Sequence, residues 1–224
     1  MVNLHIERLA YVSSVSGYPD FYVGAVSDVG PIRKGNEDKF LAKGKLLVVA
    51  DGMGGHAAGE VASGLAIAQL NANGLTLQKL ETIVARANTD VYSYAQTNPE
   101  VQGMGTTIVA LRLSGNAVEY AHVGDSRIYK INLYDSQRRI TQLTKDHSLI
   151  QGMVDAGKIT EEEAVNHPRG NIILRSLGTG QTVTVDTGRI VAKLGDVYLL
   201  CSDGFSNAAS NKEIGKLLFE QYTY

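Results

Sequence analysis

The sequence predicts an α+β domain in which paired helices pack on antiparallel sheets, and three patterns predict it. Short apolar runs with strand character recur along the chain, separated by glycine-containing turns. Two longer stretches carry apolar residues at helical spacing. Glycine is abundant at 24 residues and proline scarce at 4, which favours many tight turns over long coil.

The strand candidates are residues 21–27, 46–50, 106–113, 118–123, 127–133, 189–193 and 197–201. Lys43-Gly44-Lys45, Ser114-Gly115-Asn116, Gly124-Asp125 and Leu194-Gly195-Asp196 join them as hairpin-type connections. A first helix is expected from Glu60 to about Asn71, with Val61, Leu65 and Ala68 among small residues. A second follows from Leu77, Leu80, Ile83, Val84, Ala87 and Val91, with Thr76 as its cap and Asn98-Pro99 as its stop. Further helical stretches are expected at 147–156, at 160–165 and, carrying Ile214, Leu217, Leu218 and Phe219, at 211–224.

At 224 residues, with 44% apolar and 20% charged side chains, the chain has enough apolar material for one domain with a buried core rather than a disordered segment. The formal net charge of −2 gives no basic excess, so a dedicated nucleic-acid binder is not expected. No run reaches the ~18 apolar residues of a membrane span, and residues 1–17 lack the apolar centre of a signal peptide. Cys201 is the one cysteine, which excludes an intrachain disulfide and a multi-cysteine zinc site and fits a cytoplasmic protein.

Chemistry concentrates where apolar strands end in aspartate. Leu46-Leu47-Val48-Val49-Ala50 runs into Asp51-Gly52, Val197-Tyr198-Leu199-Leu200-Cys201-Ser202 into Asp203-Gly204, and Tyr120-Ala121-His122-Val123-Gly124 into Asp125. One such end is an ordinary turn signal. Three that met at one sheet edge would be costly, since two carboxylates about 5 Å apart repel by roughly 3 kcal/mol at an effective dielectric near 20. A cation among them, or uptake of protons, would relieve that repulsion. Hard oxygen donors favour Mg²⁺ or Mn²⁺ over zinc.

Five segments stand in order: Ser27-Asp28-Val29-Gly30 through Arg33-Lys34-Gly35-Asn36-Glu37-Asp38, Val49-Ala50-Asp51-Gly52-Met53-Gly54-Gly55-His56, Gly105-Thr106-Thr107, His122-Val123-Gly124-Asp125-Ser126-Arg127, and Cys201-Ser202-Asp203-Gly204. This series, over residues 22–208, resembles that of the metal-dependent PPM/PP2C protein phosphatases in their bacterial form. The resemblance implies a two-layer antiparallel β-sandwich flanked by helix pairs, with a two-metal site at one end. It implies that Asp51 bridges two Mn²⁺ or Mg²⁺ ions, that the Gly52 carbonyl ligates one and Asp203 the other, and that Asp38 acts through metal-bound water. Asp125 resembles the position of a weaker third ion, and Arg33 the arginine that binds phosphate. The implied activity is hydrolysis of phosphoserine and phosphothreonine in phosphorylated protein substrates by a metal-activated water.

Some residues carry plainer readings. The glycine-rich segment 51–60 lacks the Gly-Lys-Ser/Thr ending of a nucleotide-binding loop. His122 reads as a satisfied core histidine, Cys201 as a small buried residue, and His56 is not assigned as a general acid because Met53 holds the position directly after Asp51-Gly52. Residues 144–177 resemble the family's variable flap beside the active site, although their charges equally fit a solvated surface. The division expected is an extension at 1–20 and a phosphatase domain at 21–224. No aspartate follows Asp203, so the family's later metal-binding aspartate has no match and its closing strands are expected to be missing. That would leave a sheet edge open to pairing with another chain, with the oligomeric state unset, unless residues 3–12 fill it; Asp20 is a poor substitute for the aspartate. The alternative to an active enzyme is a catalytically weakened or inactive relative that binds phosphoproteins or a partner through the same cleft. Hydrolysis of small phosphate esters is a third reading without particular support.

Overall fold

The computed structural model describes residues 10–14, 19–30, 33–164 and 167–221. Its strands are β1 (Ala10–Ser14), β2 (Pro19–Tyr22), β3 (Asp38–Lys43), β4 (Leu46–Met53), β5 (Gly105–Thr106), β6 (Ile108–Ser114), β7 (Ala117–Val123), β8 (Arg127–Asn132), β9 (Thr141–Gln142), β10 (Asp186–Val191) and β11 (Asp196–Cys201). Its helices are α1 (His56–Asn73), α2 (Leu80–Thr97), α3 (Leu149–Asp155), α4 (Glu161–Ala164), α5 (Asp203–Ser206) and α6 (Asn211–Gln221). One sheet has the order β10-β7-β6-β4-β3, with β5 pairing β4; the other runs β2-β1-β11-β8-β9, and every pairing is antiparallel.

Side-chain alternation along each strand sorts the apolar residues into layers. On β4, Leu46 and Val48 face α1 and α2, joining Ala62, Ala66, Leu70, Ile83, Val84 and Val91 in the largest core. Val49 faces the other way, into the seam between the sheets, where Val109, Leu111 and Val118 meet Ile128 and Tyr198. The outer face of the second sheet presents Tyr129, Ile131 and Val197 to Ile214, Leu218 and Phe219 of α6, with Phe205 of α5 beside them. The layers are therefore helix, sheet, sheet, helix. Central strands buried on both faces explain why their sequences are nearly continuous apolar runs instead of alternating ones.

Several expected boundaries shift. Strand β4 does not stop at Ala50 but continues through Asp51 and Gly52 to Met53, because Gly52 and Met53 find a partner in β5. The expected strand at 21–27 is confined to its first residues: β2 ends at Tyr22, opposite Tyr11, and residues 23–29 carry no regular structure. Helix α2 starts at Leu80 with Lys79 at its N-cap, and Thr76 is not the cap; its hydroxyl donates to the Asn73 carbonyl at 2.7 Å and closes the end of α1. Helix α3 begins at Leu149, with Ser148 Oγ accepting from the Gln151 amide at 3.2 Å.

The edge of β11 is not open either. Strand β1 pairs with it through Ala10↔Tyr198 and Tyr11↔Val197, so part of the segment expected to fill that gap does so, while residues 3–9 lie outside the described residues.

One buried carboxylate stitches the second sheet. Asp196 is fully buried, accepts from Asn132 Nδ2 at 2.8 Å, Tyr198 Oη at 3.1 Å and the Lys193 amide at 2.8 Å, and pairs with Lys130 at 2.9 Å. Removing one partner of a buried pair typically costs about 3–5 kcal/mol. Asp196→Ala is expected to lower the free energy of unfolding by about that amount in chemical denaturation; a change near zero would show that the pair is not buried as described.

Candidate functional site

Asp38 and Asp51 are partners in the β3–β4 ladder, which sets them directly opposite one another. Residues so placed have Cβ atoms about 4.5–5.5 Å apart, where like charges destabilise the pair. Asp203 reaches the same place from the other sheet, as the first residue of α5 directly after β11. Ser202 Oγ donates to Asp38 Oδ2 at 2.7 Å and ties the two sheets together at this point. The Asp51 carboxyl is within hydrogen-bonding reach of both Asp38 and Asp203. Three sequence-distant carboxylates thus converge, with Asp51 between the other two.

Burial first, then the charges of Asp38 and Asp203, push the Asp51 carboxyl far above the ordinary carboxylate range. Asp125, 7% exposed, is pushed up to about 6 by burial and then by the charges of Asp203 and Asp146. Its Oδ1 is buried with no hydrogen-bond partner. An oxygen-only donor set, crowded with negative charge and containing an orphaned carboxylate oxygen, fits a hard divalent cation.

Main-chain tethers hold this arrangement. The Asp51 amide donates to Thr107 Oγ1 at 3.1 Å, and the Asp51 carbonyl accepts from the Thr107 amide and from Thr106 Oγ1, both at 2.9 Å. Thr107 Oγ1 also shares a 2.7 Å hydrogen bond with Ser126 Oγ, next to Asp125. Gly52 is buried where a Cβ would overlap the Gly59 carbonyl of α1, so a side chain there would push that helix off the strand. Gly124, before Asp125, has φ 108° and no room for a Cβ beside Thr107.

Arg33 is exposed, five residues before Asp38, and makes no hydrogen bond or ion pair with the described residues. Of the expected site residues, the structure therefore gathers Asp38, Asp51, Gly52, Asp125 and Asp203, while Arg33 is exposed and bonds none of them. The His56 side chain lies outside the described residues; its backbone begins α1. Cys201 is buried, its thiol pushed up to about 12 by burial, and so is inert as a nucleophile. His122 is buried but only half satisfied: its Nε2 bonds the Lys145 carbonyl at 2.9 Å, while Nδ1 has no partner.

Residues 34–223 match the family described as Protein phosphatase 2C. The chain belongs to that family. The serine/threonine protein phosphatase PstP of Mycobacterium tuberculosis is 43% identical over 196 residues, which cover 85% of this PP2C chain. The chain spans 37% of the length of that relative. The serine/threonine phosphatase Stp of Listeria innocua is 40% identical over 212 residues, covering 88% of this chain and 82% of Stp. A crystal structure of the PstP catalytic domain in complex with two manganese ions superposes with a TM-score of 0.76 at 41% identity, covering 86% of this chain and 82% of that one.

Sequence reasoning missed the residues that fix the acidic groups of this PP2C site. Thr106 and Thr107 were visible as a motif, but their tether to Asp51 was not. Ser202 stood in the last motif and His147 in the flap segment, but neither of their bonds was visible, because each acts on a residue far away in the chain.

A carboxyl whose pKa rises on folding keeps a proton that the unfolded chain releases. Without divalent ions, stability should therefore fall as pH rises above the ordinary aspartate value near 3.8. In EDTA, Asp51→Asn keeps the shape and removes the charge. It is expected to exceed the parent in stability by up to about 3 kcal/mol at about pH 8, with the gap narrowing toward about pH 5. Denaturation curves at the two pH values measure this; a pH-independent gap would contradict the charge coupling.

Proposed function

We propose that this chain is a metal-dependent protein phosphatase that hydrolyses phosphoserine and phosphothreonine in phosphorylated proteins. The observation that carries the reading is the junction of Asp38, Asp51 and Asp203 from two sheets, with Asp51 in the middle. In this reading Asp51, the Gly52 carbonyl and Asp203 would hold two divalent ions, Mn²⁺ or Mg²⁺, and Asp38 would act through water bound to them. Asp125 holds a further, weaker ion. Bound there, such ions lower the pKa of coordinated water toward neutrality and offset phosphate charge.

Arg33 presents planar paired donors to two phosphate oxygens and aligns the ester for attack. Hydrolysis adds water across the P–O bond, releasing inorganic phosphate and the free serine or threonine hydroxyl. The leaving oxygen takes its proton from solvent, and Cys201 has no part in the reaction. Residues 21–224 form the phosphatase domain, with residues 10–14 contributing an added strand. The 144–177 segment acts as a flap beside the site. Cytoplasmic location fits the single buried cysteine, and no helix of the described residues is long and apolar enough to cross a membrane.

A phosphothreonine peptide is expected to be hydrolysed with millimolar Mn²⁺ and not with EDTA. Asp51→Ala should lose at least about 100-fold in kcat/KM, more than the loss of a residue that merely supports a metal ligand. Turnover that persists in EDTA would overturn the reading, and peptide binding without turnover would favour a non-catalytic phosphoprotein-binding relative.

A further inference from the structure

Beyond the acidic junction, the described residues hold one cluster of possible metal ligands without an assigned role: His122, His147 and Asp186, whose ligand-type atoms lie within 4.8 Å of one another. By proximity it suits a metal ion. Two observations argue against one. The guanidinium of Arg175 already stands there, with Nη1 2.6 Å from Asp186 Oδ1 and 2.9 Å from His147 Nε2. His147 Nδ1 accepts the Gly124 amide at 3.0 Å, so the proton of the neutral ring is on Nε2, 3.3 Å from Asp186 Oδ2, and Arg175, a donor only, bonds Asp186 rather than the ring. A metal on Nε2 would need either a fully deprotonated ring or loss of the Gly124 bond. The resident cation of this cluster is Arg175.

What the cluster holds is Gly124. Strand β7 ends at Val123, and its ladders with β6 and β10 end at Val123 and His122, so neither peptide group of Gly124 has a strand partner. His147 supplies both: its ring accepts the Gly124 amide and its own amide donates to the Gly124 carbonyl at 2.9 Å. The ring is fixed in turn by stacking on His122, centroids 4.6 Å apart and 14° from parallel. Its neighbours grip the same motif, since the Lys145 carbonyl bonds His122 and Asp146 takes Arg127 through a two-pronged contact at 2.7–3.0 Å. Gly124 has a backbone angle that other residues rarely adopt, and it precedes Asp125, whose Oδ1 no hydrogen bond steers. The Gly124 peptide sets the course of the backbone that carries it.

We propose that His147 is a positioning residue: held by Asp186, which Arg175 anchors, and by stacking on His122, it fixes the Gly124 peptide and thereby aims the Asp125 carboxylate at a divalent cation. This joins the start of the 144–177 segment to the ion held by Asp125, and it rests on the reading above that Asp125 is a metal ligand.

Two substitutions separate the halves of the clamp. His147→Asn keeps an acceptor near the place of Nδ1 and gives up Asp186; His147→Gln reaches toward Asp186 and gives up the Gly124 amide. Titration of the full chain with Mn²⁺, followed through the EPR signal of free Mn²⁺, is expected to show parent-like binding for His147→Asn. In His147→Gln the weakest site should weaken by about tenfold or more, with the tighter ions retained. Equal shifts in both variants, no shift in either, or loss of all bound Mn²⁺ in His147→Gln would overturn the proposal. Should the parent itself bind no Mn²⁺, the phosphatase reading fails. The clamp is then read separately from hydrogen exchange of the Gly124 amide, slow in the parent and His147→Asn and faster in His147→Gln; equal exchange in all three would overturn it.

Discussion

The mutual repulsion of carboxylates gathered at one seam is the constraint on which the rest of this structure depends. Asp51, half-buried, faces Asp38 across a ladder and meets Asp203 from the opposing sheet. Left to themselves, such groups would separate or take up protons. They stay because their backbones are fixed by interactions unrelated to their charge: the β3–β4 register, the hydroxyls of Thr106 and Thr107 on the Asp51 peptide, and Ser202 across the sheets. The fold supplies the energy through apolar layers on both sides of the first sheet. The site draws on it.

That division of labour explains what the sequence could and could not tell. The acidic positions were legible because an apolar strand that ends in aspartate breaks its own hydrophobic pattern, and because the motifs that contain those aspartates stand in a family's order. Helices packed on antiparallel sheets were legible from the apolar runs, and the two-sheet layering only from the family resemblance. Convergence was not, since spacing along the chain carries no information about which ends meet; the bond from Ser202 to Asp38 spans 164 positions. The continuation of β4 past Asp51 depends on a two-residue strand, β5, too short to announce itself. Thr76 was misread because a threonine between two helices can close the first or cap the second, and only the backbone decides.

The segment 144–177 is tied to the acidic seam at both ends. At its start His147 grips Gly124; at its end Leu177 exchanges backbone hydrogen bonds of 2.8 and 3.1 Å with Thr106, the residue that holds the Asp51 carbonyl. Asn88 of α2, buried, braces the following loop by accepting from the Gly178 amide at 2.9 Å and donating to the carbonyls of Gly180 and Gln181. A segment anchored in this way transmits its position to the carboxylates through hydrogen bonds rather than through bulk flexibility.

The central claim is that one seam between two sheets is a divalent-cation site. Anomalous diffraction from crystals soaked in MnCl₂ tests it most directly. Expected is manganese density beside the Asp51 carboxylate, shared with the Gly52 carbonyl and with Asp203, and linked to Asp38 through water. Manganese found only at surface carboxylates, with the seam empty and its aspartates hydrogen-bonded to one another, would contradict it.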